Sequence, residues 1–88
     1  MEKFSATIID PIGLHARPAS QLVKVASSFE SEVKISANGK SANAKSIMNI
    51  MALGIKKDQE ITIEIVGSDE AQAAEKIKSE LIKLKVIA

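Results

Sequence analysis

Apolar residues occur at every second position in three segments of the chain, which is the pattern of strands that bury one face. The three segments are Lys3–Ile9, Glu32–Ala37 and Glu60–Val66. Asn38-Gly39, directly after the second segment, is the strongest short hairpin signal in the chain and predicts a brief further strand at about Lys40–Asn43. The apolar positions expected to face a core are Phe4, Ala6, Ile8, Val33, Ile35, Ala37, Ile61, Ile63 and Ile65.

Apolar residues at helical spacing predict three helices. The first begins near Ala16, the second covers Ser46 to Leu53, and the third follows Gly67-Ser68-Asp69. The resulting order, β-α-β-β-α-β-α, predicts an α+β fold in which helices cover one face of an antiparallel sheet and water covers the other. The expected buried positions of the helices are Ala19, Leu22, Val23, Ala26 and Phe29 in the first, and Ala74, Ile77, Leu81 and Leu84 in the third.

Length and composition indicate one small globular domain, residues 1–88, with 45% apolar and 26% charged residues. No apolar run approaches the roughly 20 residues needed to cross a membrane. The first residues, Met1-Glu2-Lys3-Phe4, lack the charged-then-apolar pattern of a signal peptide. We therefore expect a cytoplasmic protein that does not insert into membranes.

The residue counts also argue against two function classes. With no cysteine and one histidine, the chain predicts no disulfide, no metal site and no bound cofactor. Twelve basic and eleven acidic residues give a net charge of only +1, and the two aromatic residues are Phe4 and Phe29. A small RNA-binding α/β domain needs a basic surface and exposed aromatic rings, so this alternative is disfavoured.

The only histidine, His15, directly precedes the first predicted helix. The N-terminus of a helix offers an anion unpaired N–H groups, here those of Ala16 and Arg17, and a positive dipole end of roughly half a charge. Imidazole is a good nucleophile near neutral pH, and the guanidinium of Arg17 matches phosphate oxygens. A lone histidine in this position is often only a capping or surface residue, but the combination favours a group that accepts and holds a phosphoryl group.

Two motifs carry a resemblance to a known family. Gly13-Leu14-His15-Ala16-Arg17-Pro18-Ala19 resembles the active-site signature of HPr proteins, the histidine-containing phosphocarriers of the bacterial sugar phosphotransferase system. Lys45-Ser46-Ile47-Met48-Asn49-Ile50-Met51 resembles the second signature of the family, in the version found in low-GC Gram-positive bacteria. The resemblance covers essentially all residues. It implies an open-faced β-sandwich with strand order 1-4-2-3, of which the sequence itself shows only the hairpin between strands 2 and 3.

The resemblance implies a phosphocarrier without independent turnover. Enzyme I, charged from phosphoenolpyruvate, would pass a phosphoryl group to Nδ1 of His15, and His15 would pass it to the A domains of sugar-specific enzymes II. Arg17 and the amides of Ala16 and Arg17 would stabilise the phosphate, with no cofactor, and the protein would act as a monomer. The rival reading is a purely regulatory interaction module in which His15 is idle.

Ile12 departs from the family pattern, because position 12 in HPr proteins is often a small polar residue. This difference removes any side-chain hydrogen bond from position 12 to the phosphohistidine loop. It leaves His15, Arg17 and the backbone amides unchanged.

Ser46 directly precedes the second predicted helix, and from position alone it is an N-cap. The resemblance implies a second role, phosphorylation by the ATP-dependent HPr kinase/phosphorylase, with a catabolite-control transcription factor as a further partner. A phosphate there would add about −1.5 to −2 charges near the face that carries His15.

The helix after Ser46 carries more apolar residues than it can bury. If Ile50 and Leu53 face the sheet, the remaining apolar side chains are at least partly exposed. Flexible methionines suit a surface that accepts several partners. The predicted partner-docking residues are Ser20, Lys24, Ile47, Met48 and Met51, and Lys40 and Lys45 are possible members of a basic rim.

Overall fold

The computed structural model describes residues 1–88 and contains the seven elements in the predicted order. The strands are β1 (Glu2–Thr7), β2 (Glu32–Ala37), β3 (Lys40–Asn43) and β4 (Glu60–Val66). The helices are α1 (Ala16–Ser27), α2 (Ile47–Met51) and α3 (Glu70–Lys83). None of the three helices is long and apolar enough to cross a membrane.

The four strands form one antiparallel sheet in the order β1-β4-β2-β3, which confirms the expected 1-4-2-3 arrangement. In the register of the sheet, Phe4 lies opposite Ile63, Ile63 opposite Ile35, and Ile35 opposite Ala42. Because successive side chains point to opposite faces of a strand, this row lies on one face, against the helices. The α+β fold class is therefore confirmed.

One continuous core lies between the sheet and the helices. The sheet contributes fully buried Ile35, Ile63 and Ile65, and α3 contributes Ile77 and Leu81. The opposite face of the sheet is polar, with a row of hydroxyl residues that crosses all four strands. This row consists of Ser5, Thr62, Ser36 and Ser41.

β1 ends earlier than the alternation predicts. Ile8 is fully buried as expected, but it lies outside the strand and forms an isolated bridge with Ile87. The reason is that the chain changes partners at this point: the N–H of Ile8 donates to the carbonyl of Gln59 at 2.9 Å, and the N–H of Ile9 donates to the carbonyl of Val86 at 2.8 Å. The C-terminal segment thus covers the end of β1.

The predicted buried stripe of α3 is wrong at both of its ends. Ala73 is fully buried, whereas Ala74 and Leu84 are only partly buried at the edge of the core. The observed stripe, Ala73, Ile77 and Leu81, has a strict four-residue spacing, which is one face of an α-helix.

Asp69 connects the start of α3 to the loop between α1 and β2. Its carboxylate accepts hydrogen bonds from the backbone N–H of Glu30 at 2.9 Å and of Ser31 at 3.0 Å, and also from the hydroxyl of Ser31. Ser31 is buried. The hydrogen bond from the Ser31 hydroxyl, with those from the two amides, lowers the pKa of Asp69 below its ordinary value.

Candidate functional site

His15 is the N-cap residue of α1, with extended backbone at φ −89° and ψ −174°. Its carbonyl accepts the first helical hydrogen bond, from the N–H of Ala19 at 3.0 Å, but its side chain caps nothing. The imidazole is about one-third exposed, with a relative accessibility of 32%. The ring is therefore held by the helix start and yet remains accessible to another molecule.

Asp10 is the acidic side chain that lies beside the imidazole. Its Oδ2 lies 3.5 Å from Nε2 of His15. Its Oδ1 accepts the N–H of Ile12 at 2.9 Å, and its carbonyl accepts the N–H of Gly13 at 2.9 Å. The Asp10–Gly13 turn thus places a carboxylate near Nε2, at a distance longer than a normal hydrogen bond.

Asp10 was not among the site residues predicted from the sequence. The available signal was an aspartate at the start of an Asp-Pro-x-Gly turn, whose side chain commonly binds the backbone two residues on. Its approach to His15 depends on how the chain folds back between them.

The first turn of α1 presents two free donors. The N–H groups of Ala16 and Arg17 donate to no acceptor in the protein, and Pro18 has no N–H. Both Ala16 and Arg17 are exposed. No acidic residue lies in this turn, and Arg17 forms no ion pair. The two amides are therefore free at the helix start, and no ion pair neutralises Arg17.

The segment before His15 rests on a loop that follows α2, Ile55–Gln59, which we call the support loop. The N–H of Leu14 donates to the carbonyl of Ile55 at 3.1 Å. Gly13 has φ +83°, and a Cβ atom there would lie 2.5 Å from the carbonyl oxygen of Ile55 and 2.7 Å from Cα of Lys56. Glycine is therefore required at position 13 by both conformation and space.

Ser46 is the N-cap of α2, as predicted. Its hydroxyl accepts a hydrogen bond from the backbone N–H of Asn49, although at a long distance of 3.4 Å. The residue is partly exposed, and the first turn of α2 contains no acidic residue. The hydroxyl is thus weakly engaged at an accessible helix start.

The distribution of exposed and buried side chains on α2 follows the prediction. Ile50 is buried at 1% accessibility, and Leu53 beyond the helix is also buried. Met48 is 80% exposed and Met51 is 42% exposed, and Ile47 is also exposed. A helix of only five residues therefore presents three large apolar side chains to solvent.

The residues of the predicted docking surface lie on two helices that pack against each other. Ser20 and Lys24 are exposed on α1, and the apolar residues of the surface lie on α2. Lys45 was predicted as part of a basic rim, but its amine is held by a hydrogen bond to the carbonyl of Phe29 at 2.9 Å. Lys45 thus connects the start of α2 to the chain after α1.

His15 is partly exposed and lies outside the two main surface grooves. Two surface grooves, of about 460 and 430 Å³, lie over the outer face of the sheet and beside β3, and His15 lines neither. No group of three or more His, Cys, Asp or Glu side chains is arranged to hold a metal ion. Ile12 is 70% exposed at the turn beside the site. The imidazole is therefore accessible from solvent without lying in either groove.

Comparison with known proteins agrees with this description. Residues 2–83 match the family model described as the PTS HPr component phosphorylation site. The phosphocarrier protein HPr of Mycoplasma capricolum is 54% identical over 99% of this chain and 98% of its own length. The HPr of Mycoplasma genitalium is 52% identical over 99% and 100%, respectively. The solved structure of a Mycoplasma histidine-containing phosphocarrier protein, 53% identical, superposes with a TM-score of 0.96 and covers 98% of both chains.

The open-faced sandwich, together with a partly exposed imidazole at a helix start, is typical of the class of small phosphocarrier proteins. The matched family and the relatives make this class specific: the chain belongs to the HPr family, the phosphocarrier proteins of the phosphotransferase system.

Proposed function

We propose that His15 is the phosphoryl acceptor and donor of this phosphocarrier, and that Nδ1 is the reacting nitrogen. The observation that carries this assignment is the position of Asp10 Oδ2, 3.5 Å from Nε2. A proton on Nε2, the nitrogen near Asp10, would leave the lone pair of Nδ1 available to attack phosphorus. The free N–H groups of Ala16 and Arg17 are on the same helix start and supply donors for the phosphoryl oxygens.

The transfer needs no proton to enter or leave the imidazole. As the bond from phosphorus to the donor breaks, a bond from phosphorus to Nδ1 forms, and the ring becomes positively charged while Nε2 keeps its proton. The carboxylate of Asp10 partly balances that positive charge. Arg17 and the two amides stabilise the charge of the moving phosphoryl group, and the reverse sequence delivers it to the next acceptor.

The donor and acceptors are proteins. By resemblance, enzyme I charges His15, and the A domains of sugar-specific enzymes II discharge it, in the cytoplasm. The docking surface comprises Ser20, Lys24, Ile47, Met48 and Met51. Its exposed methionines supply adaptable apolar contact, which suits a carrier that must bind one donor and several acceptors in turn.

Ser46 is proposed as a regulatory phosphorylation site for an HPr kinase/phosphorylase, with a catabolite-control transcription factor as the reader of the phosphorylated form. The accessible and weakly bonded hydroxyl supports this role. A phosphate dianion at Ser46 would lie beside Met48 on the docking surface. It would repel an acidic partner and attract a basic one, so a single modification would change the preferred partner.

Phosphoryl transfer from enzyme I tests the assignment of His15. The protein is incubated with enzyme I and labelled phosphoenolpyruvate, and the product is then treated with acid, because phosphohistidine is acid-labile and phosphoserine is not. We expect acid-labile label on the parent protein and none on a folded His15→Ala variant. Label on the variant would overturn the assignment. No label on the parent would favour the regulatory module in which His15 is idle.

A further inference from the structure

The support loop holds both ends of the segment that carries Asp10 and leads into His15. At one end, the N–H of Ile8 donates to the carbonyl of Gln59 at 2.9 Å, and the N–H of Asp58 donates to the carbonyl of Ile8 at 2.8 Å. At the other end, the N–H of Leu14 donates to the carbonyl of Ile55 at 3.1 Å. The distance from Asp10 to His15 therefore depends on the shape of this loop.

The shape of the loop depends in turn on the side chain of Gln59. The side-chain Oε1 of Gln59 accepts the backbone N–H of Lys56 at 2.8 Å. The backbone N–H of Gln59 donates to the carbonyl of Lys56 at 3.3 Å. The loop includes Asp58 in the left-handed region, at φ +72°, a conformation that costs free energy for a residue other than glycine. The two bonds between Gln59 and Lys56 close the loop around this residue.

Asn38 supplies a further contact from the hairpin between β2 and β3. Its Nδ2 donates to Oε1 of Gln59 at 3.2 Å and to the carbonyl of Leu53, just after α2, at 3.1 Å. Asn38 has φ +56°, so its backbone is already in the conformation that the hairpin turn requires. Its side chain connects the hairpin, the chain after α2 and the support loop.

We infer that Gln59, held by Asn38, is a positioning residue for phosphoryl transfer: through the support loop it sets the geometry of Asp10 and His15. This inference rests on the proposed role of His15. Gln59 itself does not touch the imidazole in the structure. Its effect passes through Ile8 and Leu14, the two ends of the segment that the loop holds.

Loss of the Oε1 acceptor leaves the N–H of Lys56 without its partner and leaves Nδ2 of Asn38 bonded only to the carbonyl of Leu53. Water satisfies these exposed groups, so the fold persists, but the loop is no longer closed in one shape. The Asp10–His15 contact then becomes variable. A displacement of about 1 Å at a reacting group can slow a reaction by as much as about 10²-fold.

The test compares two substitutions at position 59. Gln59→Met keeps the length of the side chain and removes the acceptor, whereas Gln59→Glu keeps an oxygen that accepts from both donors. Asn38→Gly removes the contact with Gln59 together with the hydrogen bond to Leu53, and glycine suits the positive φ of the turn. Two quantities are measured for each variant: the kcat and KM for transfer from phosphorylated enzyme I, and the ¹⁵N chemical shifts of the His15 imidazole, which report the tautomer.

We expect Gln59→Met and Asn38→Gly to lower kcat about fivefold or more with KM nearly unchanged, and to shift the imidazole ¹⁵N signals away from those of the parent. Gln59→Glu should restore both quantities. Parental kcat or unchanged imidazole signals in Gln59→Met would overturn the inference, and so would a Gln59→Glu variant that is as slow as Gln59→Met. The imidazole signals need no enzyme I, so a failure of the proposed function is recognised separately, by a parent protein that accepts no phosphate.

Discussion

Met48→Asp should weaken enzyme I binding and leave the fold intact. Met48 is 80% exposed, whereas Ile50, two residues further along the same helix, is 1% exposed. An exposed position usually tolerates a polar residue within about 0.5 kcal/mol, which is roughly 2–4 °C in Tm for a domain of this size. Ile50→Ala, the buried comparison, should cost about 2–5 kcal/mol and lower Tm by roughly 8 °C or more.

The loss of binding follows from the same exposure. Full burial of a methionine side chain contributes about 1.5–3 kcal/mol, and the exposed four-fifths of Met48 would supply roughly 1.2–2.4 kcal/mol on docking. At about 1.4 kcal/mol per factor of ten, the Kd for enzyme I should rise roughly sevenfold to fiftyfold.

The assay pairs calorimetric titration of enzyme I with thermal melts followed by circular dichroism, since the chain has no Trp or Tyr for fluorescence. Asn49→Asp is the charge control, because it adds the same charge to the same exposed helix surface and removes no apolar side chain. A Met48→Asp variant with parental affinity, or with a Tm as low as that of Ile50→Ala, would refute the docking assignment. Equal weakening in Asn49→Asp would show that charge, and not apolar contact, is responsible.

Three further predictions concern phosphoryl transfer, the proposed regulation at Ser46 and stability in acid. Arg17→Ala should bind enzyme I but slow transfer by about 10²–10³-fold, and a rate within twofold of the parent would remove Arg17 from the mechanism. Ser46→Asp should fold normally, accept phosphate more slowly at low salt and recover part of the rate at high salt, where exposed charges are screened. Ser46→Ala is the uncharged control. A parental transfer rate of Ser46→Asp at low salt would leave Ser46 as a helix cap only. The hydrogen bond from Ser31 is the main reason that the pKa of Asp69 is lowered in the folded protein, so the stabilisation by the Asp69 carboxylate is present above the unfolded pKa of about 3.9 and is lost as pH falls through the folded pKa. In urea unfolding, Asp69→Asn should therefore lose less stability than the parent below about pH 4. An unchanged pH dependence in the variant would contradict this.

Local patterns in the sequence predicted the elements well because each strand buries one face. Strands β2, β3 and β4 have the predicted bounds, since alternation and the Asn38-Gly39 turn fix them locally. The strand order came from the resemblance, because the pairing of β1 with β4 joins residues about sixty positions apart and leaves no local signal. The stripe of α3 was misplaced at its ends because Ala73 and Ala74 are equally apolar.

The site was only partly predictable for the same reason. His15, Arg17 and the free amides follow from one short motif and a helix start. The contact from Asp10 needs a turn that brings a carboxylate back to the imidazole, and the contact from Asn38 to Gln59 joins residues 21 positions apart. Polar side chains of this kind are common on surfaces, so composition and spacing do not distinguish the ones that form such contacts.

The contact of Gly13 with the support loop bears on how site geometry is inferred in divergent relatives from their sequences. A histidine can persist in front of a helix while its surroundings change, because the helix start alone holds its backbone. A side chain at position 13 cannot be added without moving Ile55 and Lys56, since their backbone atoms occupy the space of the Cβ. In a distant homologue, a residue other than glycine at the position aligned with Gly13 therefore indicates that the backbone beside the histidine has moved, even where the histidine itself is kept.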